Sequence, residues 1–204
     1  VTRLVHSQRG WLLEHHEQAD RSDVSSTSGP YRALVCTIPA PQAISLLQQS
    51  QLKVPAPLTR VVCAPIWALL ITLERGVKAT VPADPTEHLR SIHANNLAHP
   101  DPMLLVAHAD TAWSGQHLKS EPAQVVAQLL PEAACSLGLQ QSDIASCRAH
   151  RWRYAQTAEA LGESCLWDPA QQLMLAGDWC LGATVDNALQ SGAAAAHLLN
   201  QVSY

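Results

Sequence analysis

The sequence predicts an α+β protein: a mixed or antiparallel sheet covered by helices. Three observations carry that expectation. Strand-like apolar runs follow one another between Thr59 and Ala155, with a single long helical stretch placed late among them; strands in series rather than strict strand–helix alternation indicate an α+β unit. Two further runs, Ala33–Ile38 and Leu173–Ala176, are continuously apolar and each precedes a helical pattern, as suits strands buried on both faces. Finally, 47% of the 204 residues are hydrophobic and 15% charged, enough apolar matter for a sizeable core.

The elements follow in chain order. Val1–Val5 alternates, and Gly10–Leu13 begins a second short run. Gln18–Pro30 is rich in Ser, Asp and Gly and reads as an exposed loop. Ala33–Ile38 is a buried strand stopped by Pro39 and Pro41, and Ala40–Gln49 a short helix with Ala43, Ile44 and Leu47 on one side. Lys53–Pro57 is a proline-rich connector and a domain boundary. Strand-like pieces then fall at Thr59–Leu73, Val77–Val81, Ser91–Asn95, Met103–Ala109 and Ala145–Ala155. Glu121–Leu137 is helical, with Pro122 in its first turn and Val125, Val126, Leu129 and Leu130 apolar. Leu173–Ala176 is a strand, and Val185–Asn200 a helix whose Ala188, Ser191, Gly192 and Ala195 permit close packing.

Charge and composition exclude several functions. With 13 Lys and Arg and a net charge of −4, phosphate-driven nucleic-acid binding is not expected. No run of ~18 apolar residues is present to span a membrane, no leader precedes the first strand, and a cytoplasmic location is expected. The six cysteines, at 36, 63, 135, 147, 165 and 180, form no C-x-x-C pair and read as buried reduced thiols. Ten histidines show no metal-ligand spacing, His15 and His16 being neighbours, so no metal site is assigned. G-x-S-x-G is absent, which leaves Ser114 a poor nucleophile and Trp113-Ser114 a loop anchor.

Chemistry concentrates in "LMLAGDWCLGATVDNALQSGAAAAHLL". A strand, a Gly-containing turn and a helix N-terminus gather backbone N–H groups at one point, and the helix dipole favours an electron-rich ligand there. Asp178, just past the strand, can accept hydrogen bonds from a ligand's hydroxyls. Thr184 or Asp186 can cap the helix. On spacing alone a merely capped helix is the preferred reading.

This stretch resembles the C-terminal flavin-contacting motif of the amine-oxidase and renalase-like FAD-dependent oxidoreductases, closest to the bacterial renalase-like branch. "LVCTIPAPQAISLL", "APIWALLITLE", "VAHADTAWSGQHL" and "HRWRYA" agree in the family's order and extend the resemblance from about Ala33 to Leu199. It implies that the whole enzyme has an α/β-class FAD fold, of which this chain holds the C-terminal portion. Residues 1–52 would then be a partial FAD-binding domain, 53–160 the substrate-binding domain, and 161–204 the last strand and helix of the FAD-binding domain. It further implies that Gly177 and Asp178 meet the ribityl chain, and that the turn through Val185 meets the flavin ring edge. The implied cofactor contacts are Gly177, Asp178, Trp179, Thr184, Val185, Asp186, Asn187 and Ala188. The family pattern Gly-Arg-Val-Glu-Gly-Ala reads Ala183-Thr184-Val185-Asp186-Asn187-Ala188 here, so Asp stands for Glu and Asn for the second Gly.

The G-x-G-x-x-G that cradles a dinucleotide pyrophosphate is missing, and the nine glycines are scattered. With Val1 first, the chain reads as part of a longer enzyme that alone holds FAD poorly or not at all. In "HRWRYA", His150, Trp152 and Tyr154 share a strand face, while Arg148, Arg151 and Arg153 are split between faces. The resemblance makes that face, with Trp67, a wall for a small-molecule substrate; as residues alone they fit a half-buried strand and a core tryptophan. Cys180 reads as a buried bystander. The expected activity is hydride transfer from a small amine or reduced pyridine-nucleotide-like substrate to flavin, with O2 as reoxidant and no side-chain acid or base assigned. The other reading is a non-catalytic fragment serving as a folded interaction module.

Overall fold

A computed structural model describes residues 1–19, 22–82, 84, 86–95 and 101–202. The strands are β1 Arg3–Ser7, β2 Gly10–Ala19, β3 Ser22–Tyr31, β4 Leu34–Cys36, β5 Val62–Leu73, β6 Leu89–Ala94, β7 Leu104–Ala109, β8 Ile144–Glu159, β9 Leu166–Asp168 and β10 Leu173–Leu175. The α-helices are α1 Ala40–Gln49, α2 Thr111–Gln116, α3 Pro122–Leu137 and α4 Val185–Val202. The chain divides into two units, Val1–Cys63 with Thr157–Tyr204, and Ala64–Gln156. The family resemblance put the divisions at 52/53 and 160/161. Among the described residues no helix is long and apolar enough to cross a membrane.

The first unit holds two small sheets. β1, β2 and β3 form an antiparallel meander, with Leu4 opposite Leu13 and His15 opposite Ser26. In the second, β10 lies between β4, to which it is parallel, and β9, to which it is antiparallel. β10 is buried at all three residues, as its unbroken apolar run requires. Trp11, Leu47, Leu58, Leu173, Leu175 and Trp179 form the main core of this unit. Met174 and Ala176 pack instead towards Ala195 of α4.

The second unit is a four-stranded sheet in the order β6-β7-β5-β8. One face carries Trp67, Leu69, Ile71, Leu105 and Ala107 into a core closed by Val125, Leu129 and Ala133 of α3. The helices are well specified locally. Glu121 and Gln124 form a reciprocal capping box before α3, Pro122 occupies its first turn, and Gly138 ends it in the left-handed region at φ 66°. The Asp110 carboxylate accepts from the N–H groups of Ala112 (2.7 Å) and Trp113 (3.3 Å) at the start of α2.

Three expectations are corrected. Gln18–Pro30 is not a loop: β2 runs on to Ala19 and β3 starts at Ser22, while positions 20 and 21 lie outside the described residues. Ser and Thr fill five of the ten positions of β3, so no apolar alternation marks it. Val77–Val81 forms no strand, although Val77, Ala79 and Val81 pack against the core. Trp113 and Ser114 stand in helix α2, not in a loop, and both are buried.

Candidate functional site

The parallel strands β4 and β10 end side by side, Cys36 opposite Leu175. Ligands of parallel sheets sit beyond the carboxyl ends of their strands, where helices begin. Here that position is a cleft of about 460 Å³ lined by Thr37 after β4, by Ala176, Gly177 and Asp178 after β10, and by Thr184, Val185, Ala188 and Gly192 at the start of α4.

Each part of the cleft is fixed by a specific contact. A Cβ at Gly177 would lie 2.6 Å from Nε1 of Trp179, because that indole folds directly beneath it. The same nitrogen donates to the carbonyl of Ile38 at 3.2 Å, tying the β10 turn to the segment that follows β4. The Gly177 N–H donates to the buried Ser191 hydroxyl at 2.9 Å, which holds α4 against the strand end. Asp178–Cys180 then makes one 3-10 turn, with the Asp178 carbonyl accepting from Leu181 and Gly182. Thr157 donates to one Asp178 carboxylate oxygen at 3.3 Å; the other accepts no hydrogen bond from the described residues.

The helix start is built in the same way. Thr184 caps α4, its hydroxyl accepting from the Asn187 N–H at 3.1 Å. The Asn187 side chain lies back against Gly182, where a Cβ would meet its amide nitrogen at 2.8 Å. Capping leaves the first N–H groups of the helix available to an acceptor at the cleft, with the positive end of the dipole behind them. Of the eight residues expected here, Gly177, Asp178, Thr184, Val185 and Ala188 line the cleft. Trp179 is buried beneath it, Asp186 is exposed, and Asn187 turns to Gly182. Burial raises the thiol of Cys180, as it does those of Cys36 and Cys63, so none is a poised nucleophile.

The second unit offers a different surface. The Arg151 guanidinium stands 5.3 Å from the Trp67 ring on the helix-covered side, and donates to the Leu118 carbonyl. By strand alternation His150, Trp152 and Tyr154 project from the other side. Ala68 is on that side too and pairs with His108, which pairs in turn with Ser91. The face turned away from α3, uncovered at Arg148, His150, Trp152 and Tyr154 although Ala68 is buried, also bears His108 and His93, with the His150 and Trp152 rings edge to face at 4.5 Å. Trp152 is 56% exposed. Trp67 does not join them: it is 1% exposed, points into the core, and donates from Nε1 to the His117 carbonyl at 3.0 Å.

Burial, with the neighbouring His93 and Arg90, holds the His108 imidazole below its ordinary value of 6.5. The unfolded chain therefore binds the proton first as pH falls, so this group contributes stability above about 6.5 that is lost on acidification. A His108→Gln variant should lose less stability than the parent between about pH 7 and about pH 5, compared by urea midpoints. Equal losses in the two proteins would contradict this.

Among the described residues no cluster of three or more His, Cys, Asp or Glu is arranged to hold a metal ion. Three residues of the first site were missed at the level of sequence: Thr37, Thr157 and Ser191. Thr157 acts through Asp178 and Ser191 through Gly177, pairings that no local pattern marks. Thr37 carried a signal as a polar residue near the end of the Ala33–Ile38 run, and Ser191 as one of the small residues of the last helix.

The chain has the mixed helix-and-sheet architecture of the FAD-dependent oxidoreductase folds. Solved structures of similar fold agree. They include a provisionally assigned protoporphyrinogen oxidase from Exiguobacterium sp. 255-15 (14% identity, TM-score 0.63) and cyclohexylamine oxidase from Brevibacterium oxydans IH-35A (14%, 0.61). The alignments cover 98% of this chain and 46% and 47% of those chains, so the chain spans just under half the length of the structures it matches. The model of the flavin containing amine oxidoreductases matches residues 12–200, and the chain belongs to that family.

Proposed function

We infer that the β4–β10 cleft holds the ribityl chain and ring edge of FAD, and that the uncovered face of the β6-β7-β5-β8 sheet receives the substrate. The observation that carries this reading is the Asp178 carboxylate, set at a parallel strand end beside the capped α4 N-terminus, one of its oxygens accepting no hydrogen bond from the described residues. The residues fit the group. Asp178 would accept from the ribityl hydroxyls, the α4 N–H groups would face the electron-rich ring edge, and Gly192 leaves the wall open, since a Cβ there would meet nothing within 4 Å. The flavin, when bound, supplies the hydride acceptor and passes electrons to O2. This chain's residues bind, orient and shield. The helix dipole favours the negative charge that reduction places at the ring edge, and aromatic side chains offer a flat wall to a small amine or a reduced pyridine-nucleotide-like molecule. No side-chain proton carrier is required of them. The resemblance to the renalase-like branch supports the second of those substrates.

Two measurements test this reading. FAD titrated into the chain should quench weakly, and Asp178→Ala should weaken that binding by about tenfold, the effect of one hydrogen bond from a charged acceptor. A variant that binds FAD as the parent does would remove Asp178 from the site. In an enzyme that includes any preceding reading frame, amines and dihydronicotinamide isomers should be screened for bleaching of the flavin band. Bleaching by none of them would end the catalytic claim.

A further inference from the structure

The sheet of the second unit has an unusual charge distribution. Within Ala64–Gln156 its four strands carry Arg90, Arg148, Arg151, Arg153, His93, His108 and His150, and no Asp or Glu. The carboxylates of this unit stand outside those strands, and most are already engaged. Asp110 and Glu121 cap helices, and Asp143 accepts from the Gln140 N–H. Asp101 accepts from the Gly76 N–H, Glu87 lies beside His88, and Glu132 is bound by Thr86 and by His88 at 2.9 Å. Glu74 and Asp84 fall in connecting segments.

Two of the arginines bear on the uncovered face. Arg148 shares the parity of His150, and it borders a hollow of about 320 Å³ with Leu70, Thr72, Val106, Asn95 and Ser146. Leu70 and Val106 pair across β5 and β7 and give the hollow an apolar floor. Among the described residues no carboxylate comes within salt-bridge distance of Arg148, and its guanidinium is exposed. Arg90 lies close enough to His108 to act on its charge, and donates to Gln156 at 2.6 Å rather than to any carboxylate. A cationic amine placed at this hollow would be repelled by Arg148 and would find no carboxylate on the strands beneath it, only neutral polar groups and rings. An anion would meet an unpaired guanidinium over an apolar floor, which suits a bidentate charge-assisted contact. From Arg148 the face continues along β8 to His150 and Trp152, a rise of roughly 13 Å over four residues, so a flat body can extend from the anion onto aromatic rings.

We propose that the uncovered face of the β6-β7-β5-β8 sheet binds a planar ligand bearing a carboxylate or phosphate, its anion held by Arg148 and its ring body laid over Leu70 and Val106 towards Trp152. This rests on the reading of that face as the substrate wall, and assigns the substrate an anionic group in place of a simple cationic amine.

Calorimetric titration of the intact chain with 2-naphthoate, 2-naphthyl phosphate and 2-naphthylmethylamine at equal, low ionic strength tests it. The two anions should bind, with the phosphate tighter if a doubly charged group is the natural one and the carboxylate tighter if not. Arg148→Gln should weaken both by roughly tenfold, and added salt should weaken them further; the amine should give no heat of binding. Arg148→Lys should restore part of the affinity, which separates a charge contact from a folding defect. Anion binding indifferent to Arg148→Gln overturns the proposal. Binding of the amine alone overturns it and leaves the substrate wall standing. Silence from all three ligands overturns both, while FAD binding through Asp178 is judged separately by its own titration.

Discussion

Gly177→Ala should cost the first unit about 2–4 kcal/mol, because the new methyl would meet the Trp179 indole at 2.6 Å in a backbone conformation that L-residues rarely adopt. The indole cannot simply swing away: it is 1% exposed, and its Nε1 is committed to the Ile38 carbonyl. Any adjustment therefore moves the segment after β4 together with the β10 turn, and deforms the cleft from both sides. Gly192→Ala is the natural control. It too lies on the cleft, but a Cβ there meets nothing within 4 Å, and alanine is favoured over glycine in a helix by up to about 1 kcal/mol. Urea unfolding should show Gly177→Ala well below the parent and Gly192→Ala at or above it. A Gly177→Ala protein as stable as the parent would mean that the indole is not seated as described.

The second large effect separates two tryptophans. Trp67→Ala should cost about 3–5 kcal/mol, the range for emptying a buried aromatic site. It opens a cavity where α2 meets the sheet. It also leaves the His117 carbonyl without its indole donor and removes the ring beneath Arg151. Trp152→Ala, on the opposite face of the same sheet, should change stability by no more than about 0.5 kcal/mol. If substrate uses the uncovered face, Trp152→Ala should instead reduce ligand affinity. Comparable losses of stability in the two variants would place Trp152 in a packed interface.

These two tryptophans also show how far sequence could reach. Strand alternation in "HRWRYA" was enough to group His150, Trp152 and Tyr154, because a period of two is a property of the backbone itself. It could not place Trp67 relative to them, since the side on which helices pack depends on tertiary structure, and an isolated "APIWALL" is apolar on both faces. The helix Ala40–Gln49 was legible to its ends, because Pro39 and Pro41 stop the preceding strand and supply the first turn. The β2–β3 hairpin was not, for Ser and Thr fill positions that an apolar residue would have marked. In the cleft, Gly177 and Asp178 were visible as a turn after a buried strand. What makes that turn rigid was not: the Trp179–Ile38 and Gly177–Ser191 contacts join residues that no local pattern relates.

The pairing of β4 with β10 has a consequence for how the polypeptide is made. Leu34 aligns with Leu173, so the whole of the second unit is synthesised between the two halves of the first. Closing so long a loop is entropically costly and slow, whereas Ala64–Gln156 is continuous in sequence. On the ribosome the inserted unit can fold as soon as it emerges, while β4 and α1 wait for β10 until the whole of that unit has been added. During that interval the apolar residues of α1 and β4 have no β10 to cover them. Termination between Glu159 and Leu173 would thus release a folded sheet domain joined to an incomplete one, a species for chaperones and proteases to act on.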